Sequence, residues 1–245
     1  MKQAMIFAAG LGTRLKPLTD HMPKALVEVG GTTLLERVIT NLKAAGTERI
    51  IINVHHFADM IEDFLRLHHN FGCDIRISDE RSRLLETGGG LKHAAPLFDS
   101  RDTILIHTVD ILSNVDLGAL YERGGEHDAV LVVSRRKTKR YLLFDDDMRL
   151  RGWTNIETGE VKSAYGNINP ADYRMYAFSG IHTFAPRLLD KMKTYPEKFG
   201  IIDFYLKACA GADIRGLVKD DLLLMDVGKA ETIEMAKDFL DRLTK

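Results

Sequence analysis

A loop that contains two glycines directly follows a short apolar segment, and this junction constrains the chain more than any other feature. Residues Ala4–Ala9 form the apolar segment, and Gly-Leu-Gly-Thr-Arg follows at residues 10–14. The segment predicts a buried strand, and glycines allow the backbone after it to approach a ligand closely. Backbone amides in such a loop can bind an anion, and Arg14 and Lys24 add two cations. The junction therefore predicts a polyphosphate site; the alternative is a tight strand-to-helix turn with solvated charges.

Two common phosphate-binding motifs do not fit this spacing. A dinucleotide-binding fingerprint needs a third glycine where this chain has Leu15, so a dinucleotide-dependent oxidoreductase has little support. No Gly-Lys-Ser/Thr sequence follows the loop, which excludes the Walker type of P-loop. The predicted polyphosphate site is therefore neither a dinucleotide-binding fingerprint nor a Walker P-loop.

Strand and helix patterns alternate along most of the chain. Near-continuous apolar segments at residues 49–54 and 103–109 predict buried strands, while apolar stripes at 34–42 and 233–243 predict amphipathic helices. This alternation predicts an α/β fold with a Rossmann-like three-layer α/β/α arrangement and a mixed, mostly parallel central sheet. Residues 141–175 instead indicate a β-rich excursion from this pattern.

Composition excludes several other classes of protein. The 245 residues carry a formal net charge of −1, so nothing indicates a broad nucleic-acid surface. No apolar run approaches the length of a transmembrane helix, and the first residues lack the pattern of a signal peptide. Cys73 and Cys209 are far apart, which disfavours a disulfide framework or a zinc site. We therefore expect a cytoplasmic protein without a nucleic-acid or membrane partner.

Residues 7–26 resemble the motif of sugar-1-phosphate nucleotidyltransferases almost from end to end. The segment reads FAAGLGTRLKPLTDHMPKAL, and its spacing from Gly-Thr-Arg to Pro-Lys agrees with the motif. The resemblance covers most of the chain. It is strongest to bacterial uridylyltransferases that act on N-acetylmuramic acid 1-phosphate, and guanylyltransferases for mannose or heptose 1-phosphates are the alternative.

The resemblance implies a GT-A-like nucleotidyltransferase fold and a reaction that joins a nucleoside triphosphate to a sugar 1-phosphate. UTP and N-acetylmuramic acid 1-phosphate are the favoured substrates, Mg²⁺ is the implied cofactor, and the product is a cell wall precursor. One catalytic domain is expected over residues 1–245, with a nucleotide-binding half at 1–134 and a sugar-binding half at 135–245. No appended β-helix domain is expected, and the active form is expected to be a monomer or a homodimer.

A catalytically silent nucleotide-sugar sensor on the same fold is the alternative from another functional class. Such a protein would be expected to lose a cation or a metal ligand, and this chain keeps both kinds of residue. The resemblance makes Arg14 and Lys24 the catalytic residues, with Arg14 on the leaving pyrophosphate and Lys24 at the point of attack. The implied nucleotide-binding residues of this first loop are Ala8, Ala9, Gly10, Gly12, Thr13 and Arg14.

A further glycine-rich segment, Leu85–Leu91, is expected to form a loop at the nucleobase. Its three consecutive glycines allow backbone to approach a flat ring closely. The resemblance assigns the base contacts to Glu86, Thr87 and Gly88. The alternative for this segment is the first turn of a helix.

Two aspartates that follow apolar runs are the candidate metal ligands. Asp110 ends a predicted strand, at the edge where α/β sheets bind ligands, and a carboxylate there can hold Mg²⁺ together with substrate phosphates. The alternative is that Asp110 caps the next helix. The resemblance makes Asp226 the second ligand. The chain departs from the family pattern at Val109, where relatives have glycine or alanine, and at Lys229, where threonine is common.

The candidate sugar-binding residues come from the resemblance alone and lie in the second half of the chain. They are Asn167, Gly180 and Asp203. The basic run Arg135–Arg140 is a candidate contact of the sugar phosphate, and a solvated charged face is the alternative.

Overall fold

The structure is a computed structural model that describes residues 1–243, so residues 244 and 245 of the expected domain lie outside the described part. No helix within residues 1–243 has the length and apolar character needed to cross a membrane.

The strands are β1 (Gln3–Phe7), β2 (Glu28–Val29), β3 (Thr32–Thr33), β4 (Arg49–Val54), β5 (Asp74–Asp79), β6 (Ile104–Thr108), β7 (Ile111–Ser113), β8 (Ala129–Ser134), β9 (Arg140–Phe144), β10 (Leu150–Asn155), β11 (Glu160–Lys162), β12 (Arg174–Phe184), β13 (Ile214–Val218) and β14 (Leu224–Asp226). The α-helices are α1 (Leu34–Ala44), α2 (Ala58–Leu67), α3 (Glu86–Ala94), α4 (Leu117–Gly124), α5 (Arg187–Met192), α6 (Ile201–Ala208) and α7 (Ala230–Leu243).

β1 lies at the centre of the parallel part of the main sheet. It pairs in parallel with β4 on one side and with β6 on the other, and β5 pairs in parallel with β4. The long strand β12 pairs antiparallel with β6 and β8, and its first residues pair with β9. β9, β10 and β11 continue as an antiparallel ribbon, which is the β-rich excursion expected from residues 141–175. β13 pairs in parallel with β8.

The alternation of side chains along the strands creates a hydrophobic core on each face of the sheet. In β1, Ala4 and Ile6 belong to one core, and Met5 and Phe7 belong to the other. Helices α1, α2, α4 and α7 cover the first face, and α3, α5 and α6 cover the second. The predicted three-layer α/β/α fold with a mixed sheet is therefore confirmed. Burial on both faces explains the near-continuous apolar runs of its strands.

Two segments differ from what the local pattern suggests. Gly88–Gly90 lie inside α3 and not in a loop, and at Gly90 an added Cβ would lie 2.7 Å from Glu80 Oε1. Periodicity does not reveal β13, because Gly216 interrupts its apolar residues; an added Cβ there would lie 2.9 Å from Phe144 Cε1. In both places glycine permits close packing between elements remote in the sequence.

His182 in β12 is buried, and neither of its ring nitrogens has a hydrogen-bond partner within residues 1–243. The ring of Tyr205 lies edge-on to it, with 5.6 Å between the ring centroids. Burial lowers the pKa of His182 to about 3, and the neighbouring His107 acts in the same direction. The imidazole is therefore neutral in the folded protein near neutral pH.

We expect the free energy of unfolding to fall as the pH drops below about 6.5, the pKa of an unperturbed histidine. The unfolded chain then binds a proton that buried His182 does not accept until the pH approaches its folded pKa of about 3. The contribution is about 1.4 kcal/mol per pH unit within this window. Chemical denaturation at several pH values in this range should give a smaller slope of the free energy of unfolding against pH for His182→Leu than for the wild-type protein. The variant His21→Gln, at an exposed histidine, is the matched comparison, and an unchanged slope in His182→Leu would contradict the expectation.

Candidate active site

A cleft of about 420 Å³ opens beside the carboxyl ends of β1, β4 and β6. Because β1 is parallel to both of its neighbours, the chain leaves these three strands at the same edge of the sheet. Most of the residues expected at the nucleotide and at the point of attack line this cleft. They are Ala8, Ala9, Gly10, Gly12, Thr13, Arg14, Lys24, Glu86, Thr87 and Asp110.

Hydrogen bonds fix the loop after β1 at both of its ends. The Ala8 N–H donates to Asn53 Oδ1 at 2.8 Å. Gly12 has a left-handed φ of 63°, and its carbonyl accepts from the Leu15 N–H (2.8 Å) and from the Thr19 hydroxyl (2.9 Å). An added Cβ at Gly12 would lie 2.9 Å from Thr19 Cγ2. Both the conformation and the space at this position therefore require glycine.

Four charged residues that the sequence singles out come together beside this loop, and we call Arg14, Lys24, Asp110 and Asp226 the charged cluster. The Lys24 ammonium contacts the Asp110 carboxylate and lies 3.9 Å from Asp226 Oδ1. Arg14 Nη2 lies 3.8 Å from the other oxygen, Asp226 Oδ2. Lys24 is only 7% exposed, whereas the Arg14 side chain is 61% exposed. The cluster thus combines one buried, fixed cation with one accessible cation.

Strand pairing brings the two aspartates together although they are far apart in the chain. β7 follows Asp110 directly and pairs antiparallel with β14, which sets Asp226 opposite Ile111. The Val227 N–H donates to the Asp110 carbonyl at 2.9 Å. At Gly228 an added Cβ would lie 2.6 Å from Asp226 Oδ1, so this turn has no room for a side chain. The alternative that Asp110 caps a helix is wrong, because the residues after it form β7.

Asp110 and Asp226 supply oxygen ligands of the type that a hard divalent cation prefers. Their side chains are 23% and 49% exposed, so both remain accessible to solvent. Among residues 1–243, no group of three or more His, Cys, Asp and Glu side chains is arranged to hold a metal. A cation at these two carboxylates would therefore complete its coordination with water or substrate oxygens, as magnesium commonly does in phosphate-binding sites.

The two departures from the family pattern lie at the edges of the charged cluster. Val109 is buried in the cleft wall, and its N–H donates to the Phe7 carbonyl at 3.1 Å. Lys229 precedes α7, and its N–H donates to the Thr232 hydroxyl at 3.2 Å. The Thr232 hydroxyl, within the helix, therefore accepts from the backbone N–H at position 229 where α7 begins.

A buried pair that the sequence motifs do not predict, Asn53 and Glu80, supports the cleft wall. Asn53 Nδ2 donates to Glu80 Oε1 (2.7 Å), and the Leu85 N–H donates to Glu80 Oε2 (3.1 Å). Burial raises the pKa of the Glu80 carboxyl, although both hydrogen bonds act in the opposite direction. Together with the bond from Ala8 to Asn53, the pair links the first loop to the start of α3. The signal in the sequence for this pair is Asn53, a polar residue near the end of the apolar run 49–54.

Thr108, the last residue of β6, lines the cleft with a hydroxyl that has no hydrogen-bond partner in the described part of the chain. Gly180 approaches it with a left-handed φ of 84°, and an added Cβ would lie 2.9 Å from Thr108 Oγ1. A buried polar group without a partner is costly. Thr108 therefore places a buried hydroxyl, unsatisfied within residues 1–243, in the wall of the cleft.

The start of α3 forms another part of the cleft wall. Glu86 and Thr87 line the cleft, and Glu86 has a left-handed φ of 62°, which is strained for a residue with a side chain. Gly88 is buried behind them, and its N–H donates to the Phe199 carbonyl at 2.9 Å. The base contacts of Glu86, Thr87 and Gly88 stay predictions, and Gly88 does not itself line the cleft.

The three candidate sugar-binding residues lie in different places. Gly180 adjoins Thr108 at the cleft. Asp203 lines a second cavity of about 500 Å³. Asn167 lines a third cavity of about 430 Å³, to which Asp203 also contributes. The structure therefore places Gly180 beside the cleft but does not bring Asn167 there, and the three roles stay predictions.

Sequence comparison relates this chain to one family of enzymes. The profile of the nucleotidyl transferase family matches residues 3–242. The chain is 44% identical over 131 residues to the N-acetylmuramate alpha-1-phosphate uridylyltransferase of Caulobacter vibrioides, across 53% of this chain and 51% of that protein. It is 38% identical over 120 residues to the protein of the same name from Neisseria meningitidis, across 49% of this chain and 52% of that protein. The chain thus spans about half the length of the curated relatives it matches.

Structural comparison extends the likeness over the whole fold. The inositol-1-phosphate CTP transferase from T. maritima superimposes with a TM-score of 0.78, across 100% of this chain and 97% of that one. The two sequences are 14% identical, so the likeness shows the fold alone.

We expect Gly12→Ala to lower the free energy of unfolding by about 1–2 kcal/mol, the cost of a left-handed conformation for a residue with a Cβ. The added methyl group would also press on Lys24 Cβ, 3.1 Å away. Gly10→Ala is the matched control, because no atom lies within 4 Å of its added Cβ. Thermal unfolding of both variants measures the difference. Equal destabilisation by the two substitutions would contradict the loop geometry.

Proposed function

Because this chain belongs to the nucleotidyl transferase family, we propose that it transfers a nucleotidyl group from a nucleoside triphosphate to a sugar 1-phosphate. The products are a nucleotide sugar and pyrophosphate. One observation carries the proposal: Lys24 is buried against Asp110 and Asp226, beside a glycine loop at the carboxyl end of β1. This arrangement concentrates charged groups of both signs where two phosphates and a cation would meet.

The proposed reaction needs control of charge more than it needs a general base. A phosphate oxygen of the sugar 1-phosphate attacks the α-phosphorus of the triphosphate. The bond from that phosphorus to the oxygen bridging to the β-phosphate breaks, and pyrophosphate leaves with the electron pair. The attacking oxygen is already ionised near neutral pH, so no proton has to be removed. The main barrier is to bring two polyanions together and to stabilise charge along the line of attack.

Each cation of the charged cluster has a separate proposed role. Lys24, held against Asp110 in a buried position, neutralises charge where the two phosphates meet. Arg14 is accessible, and its planar guanidinium suits the β- and γ-phosphates and the departing pyrophosphate. Backbone amides of Gly10, Gly12 and Thr13 are proposed to share that second task.

Mg²⁺ is the proposed cofactor, with Asp110 and Asp226 as its protein ligands. When bound, the ion supplies positive charge that stabilises the reacting phosphates. The two accessible carboxylates suit this ion, which commonly binds one or two carboxylates together with substrate phosphates.

UTP and N-acetylmuramic acid 1-phosphate are the proposed substrates, because both sequence relatives described above are named for that activity. Ala8, Ala9, Glu86 and Thr87 are the proposed contacts of the base. GTP with mannose or heptose 1-phosphate is the alternative pair. The product would be a cell wall precursor, and the cytoplasm, where nucleoside triphosphates are abundant, is the proposed compartment. A monomer or a homodimer is the proposed active form.

We expect Lys24→Ala and Asp110→Asn each to lower turnover about 100-fold or more, as the loss of preorganised charge stabilisation typically does. Asparagine keeps the shape of the aspartate while it removes the charge. The measurement is Mg²⁺-dependent release of pyrophosphate from UTP and the sugar 1-phosphate. Lys16→Ala is the matched control, because Lys16 is exposed and pairs with Asp20 at 2.9 Å. Near wild-type turnover in either cluster variant would contradict these roles.

A panel of the four ribonucleoside triphosphates, each with several sugar 1-phosphates, identifies the base and the sugar. Pyrophosphate release that requires Mg²⁺ and both substrates is the expected result. Binding of a nucleotide sugar without pyrophosphate release from any pair would instead favour the silent sensor.

A further inference from the structure

The second cavity, of about 500 Å³, lies between β9, β10, β12 and α6. Its lining combines aromatic rings with cationic side chains, which is typical of a site for a small, partly apolar anion. The aromatic residues are Tyr141, Trp153 and Phe178, and the cations are Arg136, Arg140 and Lys162.

The basic run Arg135–Arg140 is divided between this cavity and the outer surface. Three of its cations lie outside the lining, and two of these pair with a carboxylate. These pairs are Arg135 with Asp220 at 3.1 Å and Lys139 with Glu157 at 2.7 Å, while Lys137 is exposed to solvent. A solvated charged face therefore accounts for these three cations, and Arg136 and Arg140 are the two that face the cavity.

Arg136 and Arg140 line the cavity, and within residues 1–243 neither forms an ion pair with a carboxylate. Arg136 Nη2 donates to the Phe178 carbonyl at 2.9 Å, which orients the guanidinium but leaves its charge uncompensated. The Arg140 side chain makes no hydrogen bond in the described part of the chain. Both residues are exposed to solvent, and an anion in the cavity would lower the electrostatic free energy of their two like charges.

The third cation, Lys162, is already compensated. Its Nζ lies 3.6 Å from Glu160 Oε1, 3.7 Å from Asp203 Oδ1 and 5.2 Å from the centroid of the Trp153 ring. Glu160 and Asp203 also line the cavity. Three cations and two carboxylates give the lining a formal charge of +1, and within residues 1–243 Arg136 and Arg140 are its cations without a carboxylate partner.

The second cavity adjoins the active-site cleft along β12. Phe178 lines the cavity, and Gly180, two residues further along the strand, packs on Thr108 in the cleft. Two residues of chain span at most about 7 Å, and the pairing of β12 with β8 is irregular in this stretch. On the other side, Thr87 of the cleft accepts a hydrogen bond from the N–H of Ile201, where α6 begins. A sugar whose phosphate lies at the charged cluster would therefore extend toward the cavity.

We propose that Arg136 and Arg140 bind a carboxylate carried by the sugar of the sugar 1-phosphate. This inference rests on the proposed function and narrows the sugar to an acidic one. The planar guanidinium groups match the geometry of a carboxylate, and the aromatic rings offer apolar surface to the sugar ring. N-acetylmuramic acid carries such a carboxylate on its lactyl ether, whereas mannose, heptose and N-acetylglucosamine carry none.

The test compares two sugar 1-phosphates that differ by the lactyl group, those of N-acetylmuramic acid and N-acetylglucosamine. In the wild-type protein we expect the higher kcat/KM for the acidic sugar. In the double variant Arg136→Gln/Arg140→Gln we expect the ratio of the two kcat/KM values to fall roughly 10-fold to 100-fold, as for the loss of charge-assisted hydrogen bonds. An unchanged ratio would overturn the proposal.

The matched control is Arg135→Gln/Lys139→Gln, which removes the same number of charges from the same run outside the cavity. We expect this variant to keep the wild-type ratio. If it lowers the ratio as much as the cavity variant does, the selection comes from the general basic surface, and the two cavity arginines are not the carboxylate site.

A binding measurement separates this inference from the proposed function. Titration calorimetry of each sugar 1-phosphate, with Mg²⁺ and an α,β-methylene analogue of UTP, reports selection without turnover. Tighter binding of the acidic sugar, lost in the cavity variant, supports the carboxylate site whether or not pyrophosphate is released. Equal affinities for the two sugar 1-phosphates overturn the carboxylate site. Pyrophosphate release with 1-phosphates of sugars that lack a carboxylate would still support the transferase function.

Discussion

The charged cluster depends on one buried cation, the ammonium group of Lys24. A buried charge without a partner costs several kcal/mol, so this position is stable only when carboxylates face it. Asp110 comes from the end of β6, but Asp226 comes from β14, near the end of the described chain. The pairing of β14 with β7 therefore completes the set of charges around Lys24.

The cleft combines rigid parts with accessible parts. The Asn53–Glu80 pair and the Ala8 amide fix the wall formed by the first loop and α3 through buried hydrogen bonds. Arg14, in contrast, reaches the charged cluster from solvent with most of its side chain exposed. Fixed groups suit the point of attack, where charge must be preorganised, and an accessible cation suits a group that must leave. The same division recurs in the second cavity, where Lys162 is compensated and the two arginines are not.

The sequence predicted the parts of the site that follow apolar runs. The first loop and Asp110 come directly after buried strands, and residues 7–26 match a motif long enough to fix several positions at once. The three-layer fold was predictable because burial on both faces leaves continuous apolar segments. The Asn53–Glu80 pair was not, because its partners are remote in sequence and hydrogen bonds leave no periodic pattern. The prediction of a loop at residues 88–90 was wrong, because these glycines lie in α3: Gly88 and Gly89 pack against the segment before α6, and Gly90 packs against Glu80.

The packing of α3 against the segment before α6 joins the wall of the cleft to the wall of the second cavity. The Gly88 and Gly89 N–H groups both donate to the Phe199 carbonyl, at 2.9 and 3.1 Å, and the Ile201 N–H donates to Thr87 Oγ1 at 2.9 Å. With these bonds in place, α3 and the start of α6 would shift as one body. A base that displaces α3 would then reshape the cavity lined by α6, before any sugar arrives. By thermodynamic reciprocity, a sugar in that cavity would change the affinity for the nucleotide by the same factor. Under the proposed function, two glycines that leave no space between α3 and the segment before α6 would thus couple the binding of one substrate to that of the other.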